Sequence, residues 1–271
     1  MSARPDDAPD EPILLREDGD GIAVLTLNRP RARNALSRAL IARLSAELTA
    51  IAAQDVRVVI LAGSPGPVFC AGHDLREVTA LRANPDRGRI AFQDLLGSCA
   101  ALMQAIVGLP QPVIAAVEGL ATAAGCQLVA TCDLAVAGEG ASFCTPGVHI
   151  GLFCSTPMVA LSRNVAPKHA MEMLLTGETV PAADALRMGL VNRVVPAGEA
   201  LAQARALATV IASKSPAILR IGKRAFYEQA EMGLADAYAH AAAVMVENML
   251  HRDAVEGIGA FVEKREPRWQ G

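Results

Sequence analysis

Aromatic side chains are scarce in this chain of 271 residues, in which one Trp, two Tyr and six Phe make up 3% of the sequence. Proteins that bind single-stranded nucleic acid stack bases on aromatic rings and neutralise phosphates with a basic surface. Here 25 basic and 28 acidic residues leave a net charge of −3. The composition therefore argues against a nucleic-acid partner.

Metal-binding patterns are also lacking. The six cysteines form no Cys-x-x-Cys pair and no Cys/His cluster with zinc spacing. We expect free thiols and no metal site. The cysteines stand at positions 70, 99, 126, 132, 144 and 154.

The N-terminus carries no recognisable targeting pattern. Residues 1–11 are rich in Asp and Pro, without the apolar core of a secretory signal or the arginines of a transit peptide. We expect a cytoplasmic protein in which residues 1–12 form a disordered acidic tail.

Long apolar runs are few, although 52% of the residues are hydrophobic and the chain is long enough to bury a large core. Residues 113–132 have the length of a membrane span, but Glu118, Gln127 and two glycines interrupt the run. We predict a buried strand over 113–117, a turn, and a buried helix over about 123–132. No membrane span is expected.

The rest of the chain alternates strand and helix patterns, which predicts an α/β fold. The domain expected over residues 13–196 has further strands at 21–27, 58–62, 134–137 and 191–195, and helices at 37–54, 90–107, 158–165 and 167–175. A helical region is expected over 197–271, with helices at 199–212, 216–231, 234–250 and 253–263. Residues 239–246 are apolar except for His240, which favours packing against the core or another subunit.

Two short segments place small residues where a strand gives way to a helix. They are residues 68–75, Val-Phe-Cys-Ala-Gly-His-Asp-Leu, and residues 118–128, Glu-Gly-Leu-Ala-Thr-Ala-Ala-Gly-Cys-Gln-Leu. Such turns leave backbone N–H groups unpaired. Two turns that face each other are able to hold an oxyanion, and each fixed donor contributes roughly 10²–10³-fold in rate.

From residue 21 to residue 268 the sequence resembles the crotonase family, the enoyl-CoA hydratase/isomerase superfamily. The resemblance rests on both segments above and on five further motifs: Asn28-Arg29-Pro30 with Asn34-Ala35-Leu36, Cys132-Asp133-Leu134-Ala135, Leu175-Thr176-Gly177, residues 185–192 and residues 261–265. It implies a core of repeated ββα turns and a C-terminal helical region that assembles homotrimers or dimers of trimers. It also implies an acyl-CoA or enoyl-CoA substrate in fatty acid metabolism and lyase chemistry, with coenzyme A as part of the substrate and no separate cofactor.

The resemblance assigns the oxyanion-hole donors to the N–H groups of His73 and Ala124. Ala124 must then adopt a conformation that the family usually assigns to glycine. Asp74 is expected to fix its turn through local backbone hydrogen bonds. The resemblance further implies that the ligand is contacted by Arg29, Arg31, Arg33, Ala71, Asp74, Leu75, Arg76, Leu120, Pro146, Phe261 and Lys264. Of these, Phe261 and Lys264 are expected to contact the ligand of a neighbouring subunit.

The two catalytic glutamates of family hydratases have no counterpart in this sequence, since Gln127 and Gly147 stand at the corresponding positions. An amide does not exchange a proton usefully near neutral pH, and glycine has no side chain. Positioned acid–base groups contribute roughly 10²–10⁴-fold. We therefore expect standard hydration to be weak or absent.

Two histidines are candidate replacement bases. His149 lies two residues after Gly147 and would share its side of an extended stretch. His73 adjoins the proposed oxyanion. If either acts, the protein is an enzyme that stabilises an enolate with a nonstandard base.

Two other functions remain open. The chain is alternatively a non-catalytic acyl-CoA-binding or regulatory subunit. A second alternative is thioester hydrolysis by Cys154 or Ser155, although Ser155 or Thr156 is more simply the N-cap of a helix with Pro157 at its first position.

Overall fold

The computed structural model describes residues 12–271, so the tail expected over 1–12 lies almost entirely outside the described residues. Within them the strands are β1 (Leu14–Gly19), β2 (Ile22–Leu27), β3 (Val58–Gly63), β4 (Val68–Cys70), β5 (Val113–Val117), β6 (Leu120–Thr122), β7 (Leu134–Gly138), β8 (Ser142–Cys144), β9 (Val180–Pro181) and β10 (Arg193–Val195). They form two sheets. The larger has the order β1-β2-β3-β5-β7-β10 and the smaller β4-β6-β8-β9.

The helices complete the α/β pattern that the sequence predicts. They are α1 (Arg38–Ala52), α2 (Leu75–Leu81), α3 (Arg89–Gly108), α4 (Ala124–Thr131), α5 (Pro157–Asn164), α6 (Pro167–Thr176), α7 (Ala182–Met188), α8 (Ala200–Ala212), α9 (Pro216–Ala230), α10 (Leu234–Leu250) and α11 (Arg252–Glu263). Two 3-10 helices cover Pro30–Ala32 and Pro146–Ile150.

The core is built from repeated ββα turns. In the pairs β3 and β4, β5 and β6, and β7 and β8, the first strand lies in the larger sheet and the second in the smaller, and each pair leads into a helix. Neighbouring strands are parallel except for β1 with β2 and β8 with β9. This is the fold that the resemblance implies.

The larger sheet is covered on both faces, which explains why β3 and β5 are continuous apolar runs. Residues of α1, α3 and α4 cover one face. The other face packs against α8 through four alanines at four-residue spacing, Ala200, Ala204, Ala208 and Ala212. By this packing α8 belongs with the sheet, so the helices that stand apart begin at Pro216 rather than just after Pro196.

The last three helices pack mainly against one another. A buried ion pair ties α9 to the core, since Lys223 Nζ lies 2.7 Å from Asp133 Oδ2. No residue of α10 is buried, and several large apolar side chains of this helix are exposed: Leu234, Tyr238, Met245, Val246, Met249 and Leu250.

Residues 113–132 form β5, β6 and α4, so the predicted strand, turn and helix are confirmed, with one additional short strand. Of the helices in residues 12–271, α3 is the one that is long and apolar enough to cross a membrane by length and composition. In the fold α3 packs against α1 and buries Leu95, Leu102 and Ile106.

Candidate active site

The structure brings the two small-residue turns together where β4 ends and α4 begins. A Cβ added to Gly72 would lie 3.1 Å from the backbone nitrogen of Ala124 and 3.0 Å from Ala123 Cβ. Gly72 also has a φ of +81°, which L side chains rarely adopt. Glycine is therefore required at this position both by backbone conformation and by the close approach of the two segments.

The backbone N–H groups of His73 and Ala124 remain available at this junction. Leu36 N–H donates to Gly72 O and Asp74 N–H donates to Leu36 O, which fixes the chain on both sides of His73. Ala124 is the first residue of α4, so its N–H has no intrahelical acceptor. Within residues 12–271 neither N–H donates to a backbone carbonyl.

The unusual backbone conformation at this turn falls on Ala123 rather than on Ala124, which is ordinary helix. Ala123 has a φ of +51° and a ψ of −118°. Hydrogen bonds fix it on both sides, because its N–H donates to Cys144 O and its carbonyl accepts from Gln127 N–H. The expectation that Ala124 takes a glycine-like conformation is thus wrong by one residue.

Gly125 sets the distance between α4 and β4. A Cβ at this position would collide with the carbonyl oxygen of Cys70, the last residue of β4. The face of α4 that carries Gly125 therefore lies directly against β4, the strand that leads into the His73 loop.

Gln127 lies one helical turn after Ala124, on the same side of α4. Its side chain is buried at 4% exposure, and Oε1 has no hydrogen-bond partner. Side chains on a helix lean toward its N-terminus, which directs the Gln127 side chain toward the turn that presents the Ala124 N–H. The site thus contains a neutral hydrogen-bonding group.

Gly147 is buried inside the 3-10 helix Pro146–Ile150. A Cβ added there would lie 2.9 Å from Cys154 Sγ and 2.9 Å from Leu152 O. Residues 152–154 fold back over this glycine, and Leu152 N–H donates to Gly147 O. The structure leaves no room for a side chain at position 147 in this arrangement.

His149 does not share a side with Gly147, because the segment is a 3-10 helix and not the extended stretch that the sequence suggested. The residue is exposed, whereas Gly147 is buried. The imidazole lies against Gly177, where an added Cβ would be 2.7 Å from His149 Nε2. The geometric reason for naming His149 as a base is therefore wrong.

The His73 side chain is half-buried, and both ring nitrogens are buried without a hydrogen-bond partner. Burial lowers the pKa of the imidazole, and the nearby Leu36 backbone opposes this only in part. A lowered pKa keeps the ring neutral near pH 7, with one donor and one acceptor nitrogen.

Arg29 and Asp74 organise the loop that carries His73. The Arg29 guanidinium donates to Ala35 O at 2.6 Å and to Asp74 Oδ2 at 3.1 Å. Asp74 caps α2 by accepting from Arg76 N–H, so the expected turn-fixing role is confirmed. The Arg29 contacts support a positioning role, which the resemblance did not indicate.

Asn34 is a second organiser of this loop, and its side chain was not singled out from the sequence. Its Oδ1 accepts from Arg29 N–H and from the Ser64 hydroxyl, and its Nδ2 donates to Val68 O. The residue is almost fully buried with a φ of +52°. The sequence feature that could have indicated this role is the polar residue at the start of the Asn34-Ala35-Leu36 motif.

The other predicted contact residues fall in two places. Near the paired turns, Ala71, Leu120 and Pro146 are half-buried, while the exposed residues are Arg31, Arg33, Leu75 and Arg76. Phe261 and Lys264 lie at the end of α11 and are exposed, Phe261 at 85%. Since α11 packs against α9 and α10, the structure does not bring these two residues to the paired turns.

Within residues 12–271 neither Cys154 Sγ nor the Ser155 hydroxyl has a hydrogen bond to a side chain that could act as a base. Burial raises the pKa of the Cys154 thiol, against a smaller opposing effect of the Gly147 backbone. The Ser155 hydroxyl donates to Phe153 O at 3.4 Å. Thr156 occupies the N-cap of α5 with Pro157 at the first position, as predicted, but the Thr156 side chain makes no capping hydrogen bond.

All six cysteines are free and buried. No group of three or more His, Cys, Asp or Glu side chains within residues 12–271 is arranged to hold a metal ion.

The repeated ββα turns and the paired loops define a crotonase-type fold. A sequence profile described as enoyl-CoA hydratase/isomerase matches residues 17–271. The chain belongs to the enoyl-CoA hydratase/isomerase family.

Its relatives include rat enoyl-CoA hydratase domain-containing protein 3, mitochondrial, at 45% identity over 269 residues, which span 99% of this chain and 88% of that protein. A solved enoyl-CoA hydratase of Mycobacterium smegmatis is 50% identical, with a TM-score of 0.91 over 96% of this chain and 100% of that one. The solved human enoyl-CoA hydratase domain-containing protein 3 is 44% identical, with a TM-score of 0.90 over 95% of this chain and 100% of that one.

The expected cytoplasmic location is contradicted by these comparisons. Five vertebrate relatives, 44–46% identical to this chain, are named as mitochondrial proteins. The composition of a dozen N-terminal residues was too weak a basis for that expectation.

Proposed function

We propose that the protein binds acyl-CoA or enoyl-CoA thioesters and stabilises the thioester oxyanion or enolate with the N–H groups of His73 and Ala124. The main support for this proposal is the junction of the two turns, where Gly72 lies against the backbone of Ala124 and both N–H groups lack a backbone acceptor. Fixed donors of this kind stabilise charge as it develops on a carbonyl oxygen. Membership of the family supports a CoA thioester as the ligand.

We further propose that standard hydration is weak or absent. Hydration requires one group to activate water and another to deliver a proton to carbon. Gln127 supplies only a neutral amide, and position 147 has neither a side chain nor the space for one. His149 is turned toward Gly177 and is not a substitute in this conformation.

A second candidate is a non-catalytic acyl-CoA-binding or regulatory subunit. The side chains of Gln127 and His73 support a binding role, because both are uncharged near pH 7 and neither presents a charged group to a bound ligand. The exposed apolar residues of α10 support assembly with further subunits, a homotrimer or a dimer of trimers. Thioester hydrolysis has no comparable support, because the Cys154 thiol is buried with a raised pKa.

The donor pair is tested by two ligands that differ only in the carbonyl group. Butyryl-CoA carries the thioester oxygen, whereas S-butyl-CoA is the thioether of equal chain length. Two hydrogen bonds of ordinary strength predict about 10-fold tighter binding of the thioester by calorimetry. Equal affinities would show that the two N–H groups do not hold the carbonyl oxygen.

A further inference from the structure

A groove between the start of α9 and the larger sheet lies away from the paired turns. Its walls are residues that precede β3 and β5 and residues at the start of α9, among them Arg57, Gln111, Pro216 and Arg220. Since β3 and β5 are parallel, their amino ends lie at one edge of the sheet. The paired turns follow the carboxyl ends of these strands, so the groove is separate from the proposed thioester site.

Gln111 forms the floor of this groove. It is 7% exposed, whereas the other residues that line the groove are half-buried or exposed. Its Nε2 donates to Ile51 O at 3.0 Å, which fixes the orientation of the amide and leaves Oε1 as an acceptor without a donor. Buried polar atoms in proteins are normally paired. The floor therefore indicates an occupant that supplies a hydrogen-bond donor.

Two arginines place positive charge at the mouth of the groove. Arg57 Nη1 donates to Ala212 O at 2.9 Å, which uses one of the five N–H donors of the guanidinium. Arg220 is exposed, and within residues 12–271 its side chain makes neither an ion pair nor a hydrogen bond. Among the described residues that line the groove there is no Asp or Glu. Helix α9 begins here with Pro216, so the positive end of its dipole adds to a charge that favours an anion.

The size of the groove limits how much of a ligand enters it. The enclosed part is about 20 Å³, and a cavity needs roughly 10–15 Å³ to hold one water molecule. One oxygen atom of a ligand therefore fits beside Gln111 Oε1, and the rest of the ligand stays at the mouth near the arginines. The oxygen that enters must carry a proton, because an amide oxygen only accepts hydrogen bonds.

We infer that this groove is a binding site for hydrogen phosphate, an anion that retains a hydroxyl. The hydroxyl donates to Gln111 Oε1, and the charged oxygens accept from the guanidinium groups of Arg57 and Arg220. Arginine is well suited to this contact, because its planar fork of donors matches the oxygens of phosphate. A bound ion connects the start of α9 to the residues before β3 and β5, and it stabilises the folded chain as its concentration rises.

The test compares hydrogen phosphate with sulfate. At mildly alkaline pH both are tetrahedral dianions, but only the phosphate carries a proton. The rise of the melting temperature with ion concentration, measured at constant ionic strength, gives both affinities. We expect phosphate to bind at least about 10-fold more tightly, because sulfate leaves Gln111 Oε1 unpaired. Equal effects of the two ions, or no effect of either, would overturn the inference.

Variants assign the parts of the ion to residues. Gln111→Met keeps the length of the side chain and removes the acceptor, so it should bind phosphate and sulfate with affinities within about 3-fold of each other. Arg220→Met changes an exposed side chain and should weaken the binding of both ions by at least about 5-fold. A phosphate preference that survives in Gln111→Met, or unchanged binding in Arg220→Met, would contradict the assignment.

The chain contains a matched control for each variant. Arg224→Met removes an exposed guanidinium of α9 that does not line the groove, so it should keep the affinity for phosphate. Gln127→Met removes another buried amide whose Oε1 has no partner, at the paired turns, and should keep the preference for phosphate over sulfate. Loss of phosphate binding in Arg224→Met would show a general effect of charge, and loss of the preference in Gln127→Met would place the ion at the paired turns. Either result would overturn the inference.

Discussion

Ala123 turns the chain from β6 into α4 in a conformation that L residues rarely occupy, with φ +51° and ψ −118°. A residue held in such a region raises the energy of the native state by about 1–3 kcal/mol. It is retained because the turn is fixed from both sides, by Cys144 O and by Gln127 N–H. Backbone strain is thus located next to the proposed oxyanion donor, where it helps to hold the Ala124 N–H in place.

Replacing Ala123 with glycine should relieve this strain. We expect Ala123→Gly to raise the free energy of unfolding by about 1 kcal/mol, since the gain exceeds the entropy that glycine adds to the unfolded chain. Ala130→Gly, in regular α4 helix, is the control and should lower it by about 1 kcal/mol. Denaturant unfolding measures both, and a loss of stability in Ala123→Gly equal to that of the control would contradict the strain argument.

Elements with a strong hydrophobic pattern could be predicted from the sequence, whereas most strands of two or three residues could not. β10 (Arg193–Val195) is an exception, because it lies within the strand expected at 191–195. The apolar runs of β3 and β5 and the periodic helices α1, α3 and α9 lie within one or two residues of their predicted limits. The smaller sheet was missed, because strands as short as β9 show no alternation.

The segments of the site could likewise be predicted from the sequence only in part. Residues 118–128 were recognised as a turn into a helix, and the structure has this arrangement. The segment after Thr145 was misjudged because it forms the 3-10 helix Pro146–Ile150 and not an extended stretch. Leu152 N–H closes it onto Gly147 O. In this 3-10 helix His149 is exposed and its imidazole lies against Gly177.

The fold of residues 152–154 over Gly147 predicts the effect of a single methyl group. Gly147→Ala places a Cβ against Cys154 Sγ and Leu152 O, so we expect it to lower the free energy of unfolding by about 1–3 kcal/mol. Gly140→Ala meets no atom within 4 Å and should change stability by less than about 0.5 kcal/mol. Thermal unfolding of both variants decides the point, and equal melting temperatures for the two would show that the loop adapts freely.

At the scale of the whole molecule, one buried cluster connects the C-terminal helices to the site. Asp133 follows the C-terminal end of α4 and accepts from Lys223 Nζ, Tyr227 Oη and Val113 N–H. Lys223 also donates to the carbonyls of Ile106 and Gln111. Burial lowers the pKa of Lys223, and Asp133 opposes that shift. The helix that presents the Ala124 N–H is therefore tied at its other end to α9.

Removing one partner of this buried pair should be strongly destabilising. Lys223→Met leaves Asp133 without its counter-ion at 15% side-chain exposure, and we expect a loss of about 3 kcal/mol in the free energy of unfolding. Arg224→Met, on the same helix, removes an exposed pair with Glu228 and should cost less than about 1 kcal/mol. Chemical denaturation followed by circular dichroism tests this, and a Lys223→Met variant as stable as Arg224→Met would exclude the anchoring role.

We propose that the protein has the oxyanion-binding turns of its family without the acid–base groups of a hydratase. The steady-state hydration of crotonyl-CoA, followed as loss of the absorbance of the conjugated thioester, tests this proposal most directly. We predict a rate at least about 10²–10⁴-fold below that of a family hydratase assayed beside it, together with measurable binding of the same ester. A rate equal to that of the hydratase would contradict this prediction and show that other side chains replace both glutamates.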